Sequence, residues 1–162
     1  MEISTDSDPG TQAVNIQTAT PTDLEVLLPM VEQYWRFEAI EGFDARRLAV
    51  LLQRVMSDDS LGHVWLAEVD GNAAGYLLAV YVFSLEHQGL TAEIDEFFVG
   101  PAYRSLGIGS LLLAAAEATF RIRGCTNIAL QIGRDNDEAR AFYRGHGYVD
   151  RAGFDLVDKN LD

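Results

Sequence analysis

Residues 99–113 read VGPAYRSLGIGSLLL: an apolar run turns on a proline, passes Arg104 and two glycines, and becomes leucine-rich. Glycines between a strand and a helix let backbone amides approach a ligand, and the free N–H groups of the first helical turn favour an anion. Spacing separates the designs that work this way. A Walker-type loop needs a Lys-Ser/Thr pair after its second glycine, whereas Gly109 is followed by Ser110 and Leu111. The dinucleotide fingerprint, started at Gly107, needs a small residue where Leu112 stands and an acidic strand end about 20 residues on. What remains is Arg104-Ser105-Leu106-Gly107-Ile108-Gly109, an Arg-x-x-Gly-x-Gly run opening a helix, which has the form of a pyrophosphate cradle. Just upstream stand Glu93, Asp95 and Glu96, next to the apolar "FFV". Carboxylates beside buried apolar residues become better bases. Strand alternation puts Glu93 and Asp95 on one face and Glu96 on the other, unless a bulge intervenes. Downstream, Asn136 and Tyr143 are seven residues apart and share a face of a short helix. Each feature has a plainer alternative: a solvated strand end, an asparagine that only caps, a tyrosine packed beside Phe142.

The elements that must position these residues follow from periodicity. Leu24, Leu27, Leu28, Val31 and Trp35 recur at helical spacing behind a Thr/Asp cap, and Leu48, Leu51, Leu52 and Val55 mark a second helix after "EGFD". "HVWLAEV" and "AAGYLLAVYVF" flank the turn signal "DGN" and read as a hairpin whose second strand is apolar on both faces, hence interior. "AEIDEFFV" is a further strand leading into the glycine loop, and Ile108, Leu112, Ala115, Thr119 and Ile122 step along a helix that stops at Gly124. "NIALQI" is a buried strand, "NDEARAFYRGHG" a short capped helix, and "YVDRAGFDLVDKN" reads as two closing strands. With "VNIQTAT" as the first strand, the order is β-α-α-β-β-β-α-β-α-β-β.

At 162 residues with 48% hydrophobic content, the chain suits one domain, residues 14–162, behind a mobile tail, residues 1–13. Twelve Lys plus Arg against 25 Asp plus Glu give a net charge of −13, which opposes gripping phosphate backbones and argues against a nucleic-acid partner. The single cysteine, Cys125, excludes an internal disulfide framework and a thiolate zinc cluster, and His63, His87 and His146 lack metal-ligand spacing, so no metal is expected. The start "MEISTDSDPG" lacks the basic-then-apolar order of a signal peptide, and no run of about 18 apolar residues occurs. The expectation is a soluble, cytoplasmic protein with no membrane partner.

The loop resembles that of the GNAT superfamily of N-acetyltransferases, whose acetyl-CoA loop follows Gln/Arg-x-x-Gly-x-Gly/Ala. "IDEFFVGPAYR" is similar to the strand that precedes that loop, and "NDEARAFYRGHGY" to the family's Asn-x-x-Ala-x-x-Phe-Tyr-x-x-x-Gly-Phe, with Tyr148 replacing the final Phe. Ser105 stands where many members have glycine. The resemblance covers roughly residues 63–150. It implies an α/β fold with a mixed, mostly antiparallel twisted sheet of about seven strands, splayed where the carrier inserts, and about four helices on both faces. It implies acetyl transfer from acetyl-CoA to a primary amine by direct attack, and allows a homodimer. The cofactor grip would be Arg104, Ser105, Leu106, Gly107, Ile108, Gly109 and Ser110, with the backbone at Phe98 and Val99 pairing with the pantetheine arm and Asn136 touching the carrier. Tyr143 would protonate the thiolate, and a strand carboxylate, Glu96 ahead of Asp95, would take the amine proton. The acceptor, a small molecule or peptide amine, would meet Tyr34, Glu38, Glu41 and Tyr81. Three rivals remain: a non-catalytic acyl-CoA-binding or sensor module, transfer of a longer acyl group, and a regulatory partner protein with no cofactor affinity.

Overall fold

A computed structural model describes residues 12–161. The chain divides after Leu130 into two compact units, where the sequence suggests one domain. The first unit holds a five-stranded sheet in the order β1 (Val14–Thr18), β2 (Gly62–Val69), β3 (Asn72–Ser84), β4 (Gly89–Val99), β5 (Asn127–Leu130). All pairs are antiparallel except β4 with β5. Helices α1 (Leu24–Phe37), α2 (Ala45–Ser57) and α3 (Ile108–Ile122) complete it, and α4 (Asp137–Gly145) belongs to the second unit. The tail expected over residues 1–13 lies almost wholly outside the described residues, and Ala13 is bonded in both directions to Asp70, extending the β1 edge.

Local chemistry explains these elements. Asp44 caps α2 by accepting from the amides of Arg46 and Arg47 at 3.0 and 3.1 Å. The β2–β3 hairpin turns on Asp70 and Gly71, at φ 50° and 79°, the left-handed pair that matches strand twist. β3 is buried without a break from Ala74 to Ala79, as expected of an interior strand. Its even residues, Tyr76 and Leu78, join Val64, Leu66 and Phe98 in a core with Leu27, Met30 and Val31 of α1 and Leu52 of α2. The odd residues take the other side, where Trp65 meets Phe120 of α3 edge-on at 5.5 Å. Helices therefore cover both faces of the sheet.

The two closing strands do not form. Val149, Phe154, Leu156 and Val157 are all exposed, and Gly153 turns at φ 90°, so no buried face fixes a register there. Among the described residues the sheet has five strands rather than seven, and the helices number four, as expected. No helix of the described residues is long and apolar enough to cross a membrane.

Two irregularities shape β4. Opposite Leu78 and Ala79 of β3 stand Glu96 and Ile94, so Asp95 is an extra residue, a β-bulge. The parallel ladder with β5 also ends at Ile94–Leu130, whereas the ladder with β3 runs on to Val99. Asp95 is thus the first residue past the point where β5 stops pairing. Behind this segment β3 comes close at Gly75, where a Cβ would sit 2.6 Å from the Phe98 carbonyl oxygen.

Candidate active site

The cradle grows directly out of β4. After Val99, the Gly100 amide bonds the Ala74 carbonyl at 2.8 Å, and Pro101–Tyr103 makes one 3-10 turn. Ser105 and Gly107 both adopt left-handed backbone, φ 67° and 76°, and Gly107 caps α3. The Leu111 amide closes the first turn on the Gly107 carbonyl at 3.1 Å, so the amides of Ile108 and Gly109 precede the intrahelical ladder. The fully buried Ile108 side chain anchors that end, while nothing lies within 4 Å of where a Gly107 Cβ would be. Open space beside amides at a helix start fits a pyrophosphate. The Arg104 Nε donates to the Val99 carbonyl at 3.1 Å, and its guanidinium lies 5.2 Å from the Phe37 ring centre. Leu106 is exposed, Val99 half-buried and Phe98 buried.

The bulge overturns simple alternation of the carboxylates. Glu93 pairs with Val80 and Glu96 with Leu78, so both belong to the α1 face, with Asp95 as the inserted residue between them. Glu96 is held at both oxygens: the Tyr76 hydroxyl donates to Oε1 and the Trp35 indole Nε1 to Oε2, each at 2.9 Å. Burial raises the Glu96 pKa, these two donors pull it back, and the nearby Asp95 charge pushes it up again. Burial also raises the Asp95 pKa, although its side chain is exposed enough to meet solvent. Burial, with the Glu96 charge, drives the Tyr76 hydroxyl far above its ordinary value, so it stays a donor.

Of the acceptor candidates, Tyr34 lies edge-on to Tyr76 and Phe98, both at 6.4 Å, on the Glu96 side of the sheet. Glu38 ends α1 and, like Glu41, is exposed. Tyr81 is not brought to them: as an odd residue of β3 it belongs to the α3 face, bonded to His63 Nδ1 at 2.8 Å, edge-on to Phe120, with the Arg123 guanidinium 4.5 Å above its ring. The bonds from Tyr76 and Trp35 escape a sequence reading. A tyrosine inside an apolar, doubly buried strand was the available signal, because a buried phenol needs a hydrogen-bond partner.

In the second unit, Asn136 caps α4, accepting from the Ala139 amide at 3.0 Å. Tyr143 is buried, its ring 5.4 Å from that of Tyr148, and burial pushes its hydroxyl up to about 12. Arg140 and Arg144 both bond Asp150, tying the end of α4 to the following segment. Among the described residues no group of three or more His, Cys, Asp or Glu side chains could hold a metal ion.

β4 thus runs through a bulge into a loop whose Gly107 opens α3. The sequence profile of the acetyltransferase (GNAT) family matches residues 28–148, and the chain belongs to that family. It is 28% identical over 141 residues, 87% of this chain and 93% of the relative, to the uncharacterized N-acetyltransferase YhfO of Bacillus subtilis. An uncharacterized N-acetyltransferase of Archaeoglobus fulgidus is 32% identical over 132 residues, covering 80% of this chain and 89% of its own. Among solved structures, the aminoglycoside N-acetyltransferase AAC(6')-Iy in complex with CoA superposes with a TM-score of 0.82 at 18% identity, over 96% of this chain and all of its own (100%).

Proposed function

We propose that this protein transfers the acetyl group of acetyl-CoA to a primary amine by direct attack. The observation that carries the proposal is the open, left-handed cradle at the start of α3, continuous with a strand that holds desolvated carboxylates. The amides from Arg104 to Ser110 would hold the pyrophosphate of the donor, and the β4 backbone at Phe98 and Val99 its pantetheine arm. Asn136, whose side-chain oxygen caps α4, would contact the donor through its amide group.

Acyl transfer to an amine needs a neutral nucleophile and a proton for the leaving thiolate. An alkylamine is mostly protonated near neutral pH. A β4 carboxylate takes that proton, and the freed electron pair attacks the thioester carbonyl carbon. As the carbon–sulfur bond breaks, its electrons leave with sulfur, to which Tyr143 gives a proton; the nitrogen sheds its second proton as the amide forms, which restores the Tyr143 hydroxyl, and the carboxylate releases the first to solvent. A hydroxyl with a pKa of about 12 keeps its proton at neutral pH, which a donor to thiolate requires. The end of α1, with Tyr34, Glu38 and Glu41, would receive the acceptor, and the net charge of −13 favours a cation there. Relatives support an amine acceptor: an aminoalkylphosphonate N-acetyltransferase of Salmonella typhimurium is 35% identical over 86 residues, covering 53% of this chain and 56% of its own.

The test is thiol release from acetyl-CoA across a panel of polyamines, aminoglycosides, amino acids and peptides, with intact-mass analysis of the product. Stabilisation by acetyl-CoA without thiol release from any amine would instead make the protein a binding module. A mass gain larger than acetyl, obtained only with longer donors, would change the acyl group. Gly107→Val provides the binding arm: its side chain fills the open space beside the cradle amides and strains the φ 76° backbone, yet meets no protein atom within 4 Å at Cβ, so the variant should stay folded and lose cofactor-induced thermal stabilisation. Undiminished stabilisation would remove the cradle from the mechanism.

A further inference from the structure

The two adjacent carboxylates of β4 stand in opposite situations. Glu96 is committed: its oxygens accept from Tyr76 and Trp35, two side chains that can only donate here. Tyr76 is wholly buried, so Glu96 is what satisfies its hydroxyl within the core under α1. Asp95 is uncommitted. Among the described residues no hydrogen-bond donor or cation reaches its carboxylate, although protein around it partly excludes water. It is also the residue of the bulge, placed where β5 stops pairing with β4. A base must be close to its substrate and must have a lone pair to spare; of this adjacent pair, only Asp95 has both oxygens to offer.

Resting on the acetyl-transfer reading, we propose that Asp95 is the catalytic base and that Glu96 is a fixed anion, with Trp35 and Tyr76 as positioning residues that lock it beside Asp95. The step is a proton transfer: an N–H bond of the ammonium breaks, an O–H bond forms on Asp95, and nitrogen keeps the electron pair with which it attacks. Glu96 keeps its charge through the step, attracts the ammonium, and by repulsion makes Asp95 more willing to accept a proton. The groups whose electrostatics couple to Asp95 are the Glu96 carboxylate on its own strand and the neutral Tyr76 hydroxyl on β3. Neither of these is a cation, so nothing in the cluster holds Asp95 ionised as a structural ion pair would.

The experiment combines pH profiles of kcat and kcat/KM, using one accepted amine, with melting temperatures at pH 7 and pH 4, for the parent, Asp95→Asn, Glu96→Gln and Tyr76→Phe. Asp95→Asn should lose kcat by about 100-fold or more and lose the carboxylate-controlled part of the profile. Its melting temperature at pH 7 should be no lower than the parent's, because an unpaired desolvated charge has been removed. Any gain should shrink at pH 4, where the parent carboxyl is becoming neutral. Glu96→Gln turns an amide N–H2 towards one of two donors, so it should lower the melting temperature and raise KM for the amine. Tyr76→Phe should act as a weaker form of that change, with the pH limb in place. The assignment is overturned if Asp95→Asn keeps kcat within twofold while Glu96→Gln loses it at an unchanged melting temperature; Glu96 is then the base. A parent that releases no CoA with any amine overturns the acetyl-transfer reading itself, and this assignment with it. An active parent with an unaffected Asp95→Asn overturns this assignment alone.

Discussion

Two tyrosines of β3, Tyr76 and Tyr81, each bond a titratable side chain, yet they lie on opposite faces of the sheet. Tyr76 donates to the Glu96 carboxylate in the core under α1, with the Asp95 charge nearby. Tyr81 bonds the His63 imidazole on the α3 face, beneath a stacked Arg123. Burial acts on both partners but with opposite consequences. It raises the pKa of Glu96 and lowers that of His63, favouring the neutral form in each case. What differs is compensation. Glu96 has two donors to support its charge, whereas His63 has only an exposed Asp59 at 3.5 Å in its favour and Arg123 against it. One face gives its carboxylate two donors that partly offset the cost of burial, while the other leaves its imidazole favoured in the neutral form.

That contrast breaks first, and most visibly, at the acceptors. Glu96→Leu orphans two donors, the Tyr76 hydroxyl and the Trp35 indole, at about 1–3 kcal/mol each. His63→Leu orphans only the half-buried Tyr81 hydroxyl, at the low end of that range. Denaturant unfolding of the two variants should show the first clearly less stable, and equal losses would mean that the faces are held alike. The donors give a smaller difference. Tyr76→Phe deletes a bond to a charged acceptor, about 1.5–3 kcal/mol, and Tyr81→Phe a bond with a neutral imidazole, about 0.5–1.5 kcal/mol. A reversed order would put the greater structural weight on the α3 face.

The smallest effect, with melting-temperature shifts on the order of 2 °C, is the one with the most distinctive sign. His63 has a folded pKa below its unfolded value of 6.5, so the unfolded chain takes up the proton first and stability falls as pH drops from 6.5 through the folded value. Asp95 has a folded pKa above 3.8, so the folded chain holds its proton longer and stability falls as pH rises from 3.8 through the folded value. His63→Gln should flatten the acid side of the profile only. Asp95→Asn should flatten the loss that begins above 3.8, and identical profiles for both variants would deny the opposition.

Much of this was legible in the sequence, because periodicity reports burial. The spacing of Leu24, Leu27 and Val31 gave α1, "DGN" gave the hairpin, and the glycine run gave the start of α3. Parity along β3 already separates Tyr76 from Tyr81, so placing Tyr81 with Tyr34 in one lining ran against alternation. The closing segment misled because Val149, Phe154 and Leu156 look like strand residues although no buried face receives them. The grouping of Glu93 with Glu96 was not legible at all. It depends on one inserted residue, and period-two counting has no signal for an insertion until the partner strand is known.

That insertion has a consequence for engineering and for comparing relatives. Delete Asp95, and Ile94 and Glu96 become neighbours opposite Ala79 and Leu78, a regular antiparallel ladder in which every other side chain keeps its face. The sheet has no arithmetic need of Asp95; it is a passenger in the ladder, tolerated by the backbone and retained at the mouth of the strands. A chain shortened by this single codon should therefore fold with its framework undisturbed, and two relatives aligned without a gap across this point can carry the same acid in column yet aim it differently.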